Sequence, residues 1–377
     1  MTIIDYLKEY NNYSFEERKI NNIDYVIFSY LSYADLDKIF NNSKSIILKE
    51  IDKSLINKKN NKNSLKASVE ANTILKEMIS SKRYGNCKLY NYKYDGNDEY
   101  QFGAITIEYE DNKVFVSFEG TNELFSGWKE NFMLSFKCPT ITHKKSIDYL
   151  NKSFSHNKKE IIVGGHSKGG NLALVSSLYC KKSIRQRITK IIGADSPGLL
   201  NKDFYSKKYK KIEEKYVHIM PEYSMVGILL NHSKDIIVKS TNKGIQGHSI
   251  MSWVIDDTNF KKAKLSPLSK RLDNAINEWS NTHSDKEKID FITNFDSILN
   301  KSNVKSIIDI KENKTKIIKI IMNSNNISES SKKTIIDFII IIIKCFSDVK
   351  KNEIKKLINN SIQKLNRNDE KWKNYYL

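Results

Sequence analysis

Cysteine is scarce in this chain: four residues in 377, at Cys87, Cys138, Cys180 and Cys345. They lie far apart, with no C-x-x-C pair and no recurring spacing. That excludes a disulfide framework and a cysteine-rich zinc site, and fits a reducing compartment. Long hydrophobic runs are missing too. The longest, Phe338 to Ile343, is flanked by Asp337 and Lys344. It falls far short of the ~20 residues that span a bilayer, so an integral membrane protein is not expected. The first residues, Met1-Thr2-Ile3-Ile4-Asp5-Tyr6-Leu7-Lys8-Glu9, carry charge of both signs where a signal peptide needs an apolar core. They read as mature sequence, and the expected location is cytoplasmic. No H-E-x-x-H, P-loop or G-x-G-x-x-G occurs, which removes metal, nucleotide and dinucleotide readings and leaves no cofactor expected. No internal repeat is found.

What remains is an ordinary globular composition, 39% hydrophobic and 28% charged, long enough for one large domain with a helical appendage. The net charge of +19 is uneven. Residues 1–150 are neutral, 151–220 carry +10, 221–260 carry −1 and 261–377 carry +10. Basic surfaces attract phosphate, in nucleic acid or on anionic headgroups. The competing reading is compositional, because AT-rich coding DNA yields chains rich in Lys, Asn and Ile. Without a zinc-finger spacing, a ribonucleoprotein motif or a compact Lys/Arg tract, nucleic acid is not an expected partner. Peripheral contact with an anionic membrane is the partner that the charge leaves open.

Periodicity divides the chain. Residues 3–40 have Ile4, Leu7, Ile27, Leu31 and Leu36 near helical spacing, 41–66 read as an exposed helix pair with a loop, and 67–81 as a further helix. Gly103 to Tyr109 and Lys113 to Phe118 alternate around Asp111-Asn112, the pattern of a hairpin. Short apolar runs follow at Glu160 to Val163, Lys190 to Ala194 and Lys215 to Met220, with a helix-length segment at 168–185 and a last strand at Ile236 to Lys239. Strands alternating with helices predict an α/β fold on a mainly parallel sheet. Beyond about residue 260 the pattern is helical and basic, with an Ile-rich helix at 334–346. The expected organisation is a helical N-terminal layer over 1–100, an α/β core over 101–260 and a basic helical region over 261–377.

The stretch Gly164-Gly165-His166-Ser167-Lys168-Gly169-Gly170-Asn171 follows a strand run and precedes a helical one. It contains G-x-S-x-G in the context that a nucleophile elbow requires. A serine on such a sharp turn needs small neighbours two residues away on either side. The N–H of Lys168, opening the helix, would point where an oxyanion forms. The His166 side chain beside the nucleophile reads as a sheet anchor rather than a base. For Ser167 to act as nucleophile a histidine must accept its proton, and an acid must orient that histidine. In α/β-hydrolases the chain order is Ser, acid, His, and His218, His232, His248 and His283 follow Ser167. His218 sits inside an apolar run, His232 in a polar loop and His283 in the tail. His248, in Lys243-Gly244-Ile245-Gln246-Gly247-His248 after the last strand, is where a catalytic histidine belongs.

Gly-His-Ser-Lys-Gly-Gly-Asn-Leu-Ala resembles the elbow of a bacterial lipase-like α/β-hydrolase family related to the class-three triacylglycerol lipases. Other segments agree in order. Asp24 to Tyr33 resembles the family's "D-x-L-I-L-S-x-L-S-Y", and Phe118-Glu119-Gly120-Thr121 with Gly127-Trp128-Lys129-Glu130-Asn131 resembles "F-x-G-T…G-W-x-E-N". Asp195-Ser196-Pro197-Gly198 resembles "D-x-P-G", and Pro221 to Leu229 resembles "P-x-x-S-x-V-G-x-L". The resemblance, running from about residue 3 to about 345, implies a serine hydrolase. It places His248 as the family's histidine ahead of a tryptophan, here Trp253. Gly120-Thr121 stands where class-three lipases have G-T or G-S, which makes the Thr121 N–H the second oxyanion donor.

The acid is where the chain departs from that pattern. Class-three lipases carry an aspartate where this chain has Ser224. Two carboxylates compete for the role. Asp195 ends the strand preceding that segment, on the same sheet edge as Ser167, and Glu222 lies two residues before Ser224. Asp195 is the first choice and Glu222 the alternative. The reading is a serine esterase or lipase acting on an ester or lipid-like substrate. A phospholipase, a thioesterase or a hydrolase-fold binding scaffold without activity are the alternatives.

Overall fold

The computed structural model describes residues 1–41, 43–56, 66–97, 100–121, 138–302, 320–321, 324, 327–328 and 331–336. The chain divides into two compact units, Met1–Ser269 and Lys270–Leu377. The first is built on an eight-stranded sheet whose spatial order follows the sequence: β1 (Ser45–Ile47), β2 (Lys88–Gly96), β3 (Gln101–Glu110), β4 (Lys113–Phe118), β5 (Glu160–His166), β6 (Ile188–Ala194), β7 (Tyr216–Pro221) and β8 (Asp235–Val238). The strands β1 to β4 pair antiparallel, and β4 to β8 pair parallel. The fold is the α/β architecture predicted from the alternating pattern.

Strict sequential order has a consequence for the layers. Right-handed crossovers from one parallel strand to the next place their helices on the same face of the sheet. Ile141–Phe154 (α4) and Lys168–Tyr179 (α5) accordingly cover one face only, where Val114, Val116, Phe118, Ile161, Val163 and Ile191 meet Leu150, Leu172 and Val175. The alternate strand positions Phe115, Ile162, Ile192, Ala194 and Ile219 point the other way. That second face is closed by the N-terminal helices α1 (Ile3–Tyr10), α2 (Asn22–Leu31) and α3 (Lys66–Ile79). Every residue of α2 from Ile23 to Leu31 is buried.

Asp24 holds that layer together. It completes a capping box with Asn21 at the start of α2. Its oxygens also receive Arg83 Nη2 at 2.6 Å, Arg83 Nε at 2.8 Å and the Tyr84 hydroxyl at 2.6 Å. Both ion-pair side chains are fully buried.

Three segments differ from the sequence reading. Residues 45–47 form the edge strand β1 rather than part of a helix pair, and β2 stands where the sequence shows no strand pattern. Strand β2 is largely exposed and is held by ladder bonds to β3, with a register shift between Tyr90 and Lys93. A strand held mainly by backbone pairing, to β3 along its length and to β1 at Lys88 to Tyr90, needs no apolar alternation, so its sequence shows none. The expected continuous helical stretch over 3–40 is broken between α1 and α2. The hairpin turns at Asn112, at φ 61°, as Asp-Asn predicts.

In the second unit, Pro267–Thr282 (α6) leads in and Asp285–Ser302 (α7) follows. Trp279 packs edge-on to Phe291, with centroids 5.0 Å apart. Of the helix expected at 334–346, only residues up to 336 are described, and 331–336 are helical; the remainder, with Cys345, lies outside the described residues. Among the described residues no helix is long and apolar enough to cross a membrane.

Candidate active site

The turn from β5 into α5 is built by exclusion. Ser167 sits between them at φ 57°, ψ −132°, a conformation costly for a residue with a Cβ. A Cβ on Gly165 would lie 2.3 Å from the backbone carbon of Gly169, and one on Gly169 would lie 2.0 Å from the Phe118 carbonyl oxygen. Only glycines allow strand, turn and helix to approach this closely, and that approach forces the serine into its strained geometry. The Ser167 N–H donates to the Ala194 carbonyl at 2.9 Å, tying the elbow to the end of β6.

The residue after Ala194 is Asp195. It too has positive φ, at 43°, and is fully buried. The parallel register pairs His166 with Ala194, so Ser167 and Asp195 leave adjacent strands at the same height, at the carboxyl edge where sites of parallel sheets assemble. Asp195 Oδ2 accepts from His248 Nδ1 at 2.6 Å. Its other oxygen accepts from Ser224 Oγ at 2.5 Å and from the Gly227 N–H at 2.9 Å. Burial pushes the Asp195 carboxyl up. The His248 charge and the hydrogen bonds from His248 and Ser224 outweigh it and hold the group below the usual carboxylate range. With Nδ1 donating to Asp195, the lone pair of a neutral His248 is on Nε2.

Glu222 faces elsewhere. It pairs with Lys239 at 3.0 Å and accepts from the Ser240 N–H at 3.3 Å. Ser224, at the position where class-three lipases have their acid, instead donates to Asp195. The P-x-x-S-x-V-G-x-L resemblance marks Ser224 and Gly227, but a motif does not name the partner, and the bond to Asp195 spans 29 residues of sequence.

His248 is held from several directions. It ends the 3-10 turn Gly244–His248. The Gly247 carbonyl accepts from Trp253 Nε1 at 3.0 Å, and the His248 carbonyl accepts from His166 Nε2 at 2.8 Å. His166 is therefore an anchor for the histidine loop. Burial first, and the neighbouring His248 second, push its pKa down to about 3, so it stays neutral at neutral pH. Among the described residues no hydrogen bond joins Ser167 Oγ to His248, a contact that is often long in unliganded enzymes.

The candidate oxyanion groups flank the serine. Lys168 opens α5, and its buried side chain donates Nζ to the Gln101 carbonyl at 3.0 Å. Gln101 Nε2 in turn donates to Glu119 at 2.9 Å. Glu119 immediately precedes Gly120-Thr121, and burial raises its carboxyl to about 8. A Cβ on Gly120 would lie 2.6 Å from the His166 carbonyl oxygen, so the Thr121 turn passes directly beside the elbow. Gly127 to Asn131 lie outside the described residues.

His218, His232 and Asp235 bring ligand atoms within 4.8 Å of one another. The two imidazoles stack with centroids 4.0 Å and planes 5° apart. Parallel planes share no point, so a cation in the plane of one ring is out of plane for the other. His218 Nδ1 is instead bonded to Asp235 at 2.7 Å, and the cluster reads as packing. Cys87, Cys138 and Cys180 are free. His283 belongs to the second unit.

Three solved structures with some similarity are lipases. Lip2 lipase from Yarrowia lipolytica is 14% identical, covering 41% of this chain and 66% of its own, at a TM-score of 0.31. M37 lipase is 18% identical, covering 54% and 68%, at 0.34. The lipase from Rhizopus microsporus var. chinensis is 14% identical, covering 58% and 74%, at 0.35. No curated protein matches the chain. The model of one protein family, described as Mbeg1-like, matches residues 78–296, which contain Ser167, Asp195 and His248. That match spans more than half of the sequence, and the chain belongs to the Mbeg1-like family.

Proposed function

We propose that this protein is a serine hydrolase of the lipase or esterase type, cleaving a carboxylic ester through an acyl-enzyme on Ser167. The observation that carries the reading is the short Asp195–His248 hydrogen bond at 2.6 Å, formed one strand away from a serine held at φ 57° on a strand-to-helix turn. Membership of a lipase-related family supports it.

In this reading Ser167 Oγ attacks the ester carbonyl carbon while its proton passes to His248 Nε2. The imidazolium that forms is stabilised by Asp195. The tetrahedral oxyanion is met by the backbone N–H groups of Lys168 and Thr121, with the positive end of α5 adding to the field. Collapse expels the alcohol, which takes the proton from His248. A water then repeats the sequence against the acyl-enzyme, releasing the acid and restoring Ser167.

The test is labelling with a fluorophosphonate probe. Wild-type protein should be modified at Ser167, and both labelling and ester hydrolysis should vanish in a folded Ser167→Ala variant. A wild-type protein that neither labels nor hydrolyses p-nitrophenyl esters would leave a binding scaffold as the better reading.

A further inference from the structure

The tethers on the His248 loop differ in origin. Trp253 and His166 belong to the α/β core. Ser252 Oγ bonds the Ser249 carbonyl at 2.8 Å from within the same segment, whereas another tether comes from the N-terminal layer and bridges 179 residues of sequence: Ser249 Oγ donates to Glu70 Oε2 at 2.7 Å. Glu70 lies on α3, before the first residue matched by the family model. The same carboxylate oxygen accepts the Tyr30 hydroxyl at 2.7 Å, and Tyr30 is 2% exposed on α2. The other oxygen is 3.9 Å from Lys66 Nζ, one turn back on the same helix. The Glu70 side chain is only 14% exposed, so these bonds are largely sheltered from competing water.

Resting on the hydrolase reading, we infer that Glu70 is a positioning residue for His248, acting through Ser249. The geometry gives the reason. His248 has one neighbour on each side, and each is fixed by a different group. Gly247 is held through its carbonyl by Trp253, and Ser249 through its side chain by Glu70. Its own carbonyl is held by His166, whose ring packs 4.3 Å from that of His248. The loop is thereby held on both sides of the imidazole, through the Gly247 backbone on one and the Ser249 side chain on the other, and the ring is left to turn about its own side-chain bonds. Asp195 then sets that rotation. Remove Glu70 and the loop keeps the Gly247 tether and the Ser252 bonds to the Ser249 carbonyl, but loses the bond that ties Ser249 to helix α3. The ring can then swing away from Ser167 while Asp195 still holds Nδ1. The N-terminal helical layer is by this account part of the active site as well as a cover for the sheet.

The experiment uses full-length protein with p-nitrophenyl butyrate as substrate, alongside Ser167→Ala as the baseline. Glu70→Ala should lower kcat by up to ~10²-fold with KM within about twofold, the effect expected when a reacting group is misplaced by about 1 Å. Glu70→Gln keeps an acceptor oxygen and should recover most of that loss. Ser249→Ala should reproduce the Glu70→Ala loss, and the double variant should be no worse than either single variant, because both cut the same tether. If Glu70→Ala does not fold, Ser249→Ala decides alone. A second readout needs no turnover: the low-field proton of His248 Nδ1 in histidine-labelled protein should broaden in Glu70→Ala and persist in Glu70→Gln. Unchanged kcat together with an unchanged His248 proton would overturn the assignment, as would additive losses in the double variant. Absence of hydrolysis in wild-type protein would instead refute the hydrolase reading, and the proton signal would still report on Glu70.

Discussion

Asp195→Asn is a severe test of the proposed mechanism, because the hydrogen bonds around the carboxylate dictate how an amide must sit there. Oδ1 accepts from two donors, Ser224 Oγ at 2.5 Å and the Gly227 N–H at 2.9 Å. An NH₂ group at that position would face two donors, so the amide must place its oxygen there. Its NH₂ then takes the place of Oδ2 and donates to His248 Nδ1, across a separation now 2.6 Å. Nδ1 must become the acceptor and Nε2 must carry the hydrogen. In that tautomer Nε2 has no lone pair for the Ser167 proton. Loss of the correct tautomer alone costs ~10⁴-fold in kcat in the triad template, equivalent to about 5.5 kcal/mol of barrier. The assay is p-nitrophenyl butyrate hydrolysis at neutral pH with the rate of fluorophosphonate labelling measured in parallel, and both should fall together. Glu222→Gln should leave both within about twofold, since Glu222 faces Lys239 and Ser240 rather than His248. An Asp195→Asn enzyme within tenfold of wild type would refute the reasoning, as would a larger loss in Glu222→Gln.

Arg83→Met should destabilise the protein by about 3–5 kcal/mol, because it leaves Asp24 as a buried charge without its partner; a shift below 1 kcal/mol in urea denaturation would show that water reaches the site. Acid should destabilise the fold in part through His166, whose folded pKa of about 3 lies below its unfolded value of 6.5. The unfolded chain then binds the extra proton, so stability falls by about 1.4 kcal/mol per unit as pH drops from 6.5 towards 3. The depressed Asp195 carboxyl acts in the same direction, with its stability lost as pH falls through its folded value. His166→Asn should therefore lose about 2.5 kcal/mol less than wild type between pH 7 and pH 4.5, and equal losses would contradict that account. The charge of +10 over residues 151–220 leads us to expect sedimentation with vesicles of anionic lipid, released as salt rises; equal binding to neutral vesicles would make the charge merely compositional.

Some of this protein is written locally. The Asp-Asn turn between β3 and β4, the apolar runs that become β5, β6 and β7, and the glycines about Ser167 all act over a few residues. Their backbone geometry follows from steric limits that the neighbouring side chains set, so the elbow and the parallel core are legible in one dimension. Strands β1 and β2 are not, because they are held by ladder hydrogen bonds and bury too little to impose a pattern. The choice between Asp195 and Glu222 was open for a related reason. Both stand near the carboxyl edge of the sheet, and only the path of the 3-10 turn before His248 brings the imidazole to one of them and leaves the other to Lys239. Ser224 and Tyr30 lie in segments that resemble the family's, but the segments do not name their partners, and Glu70 carries no motif at all. Their roles arise where segments as much as 179 residues apart meet, and a contact made through space leaves no spacing in the chain by which to read it.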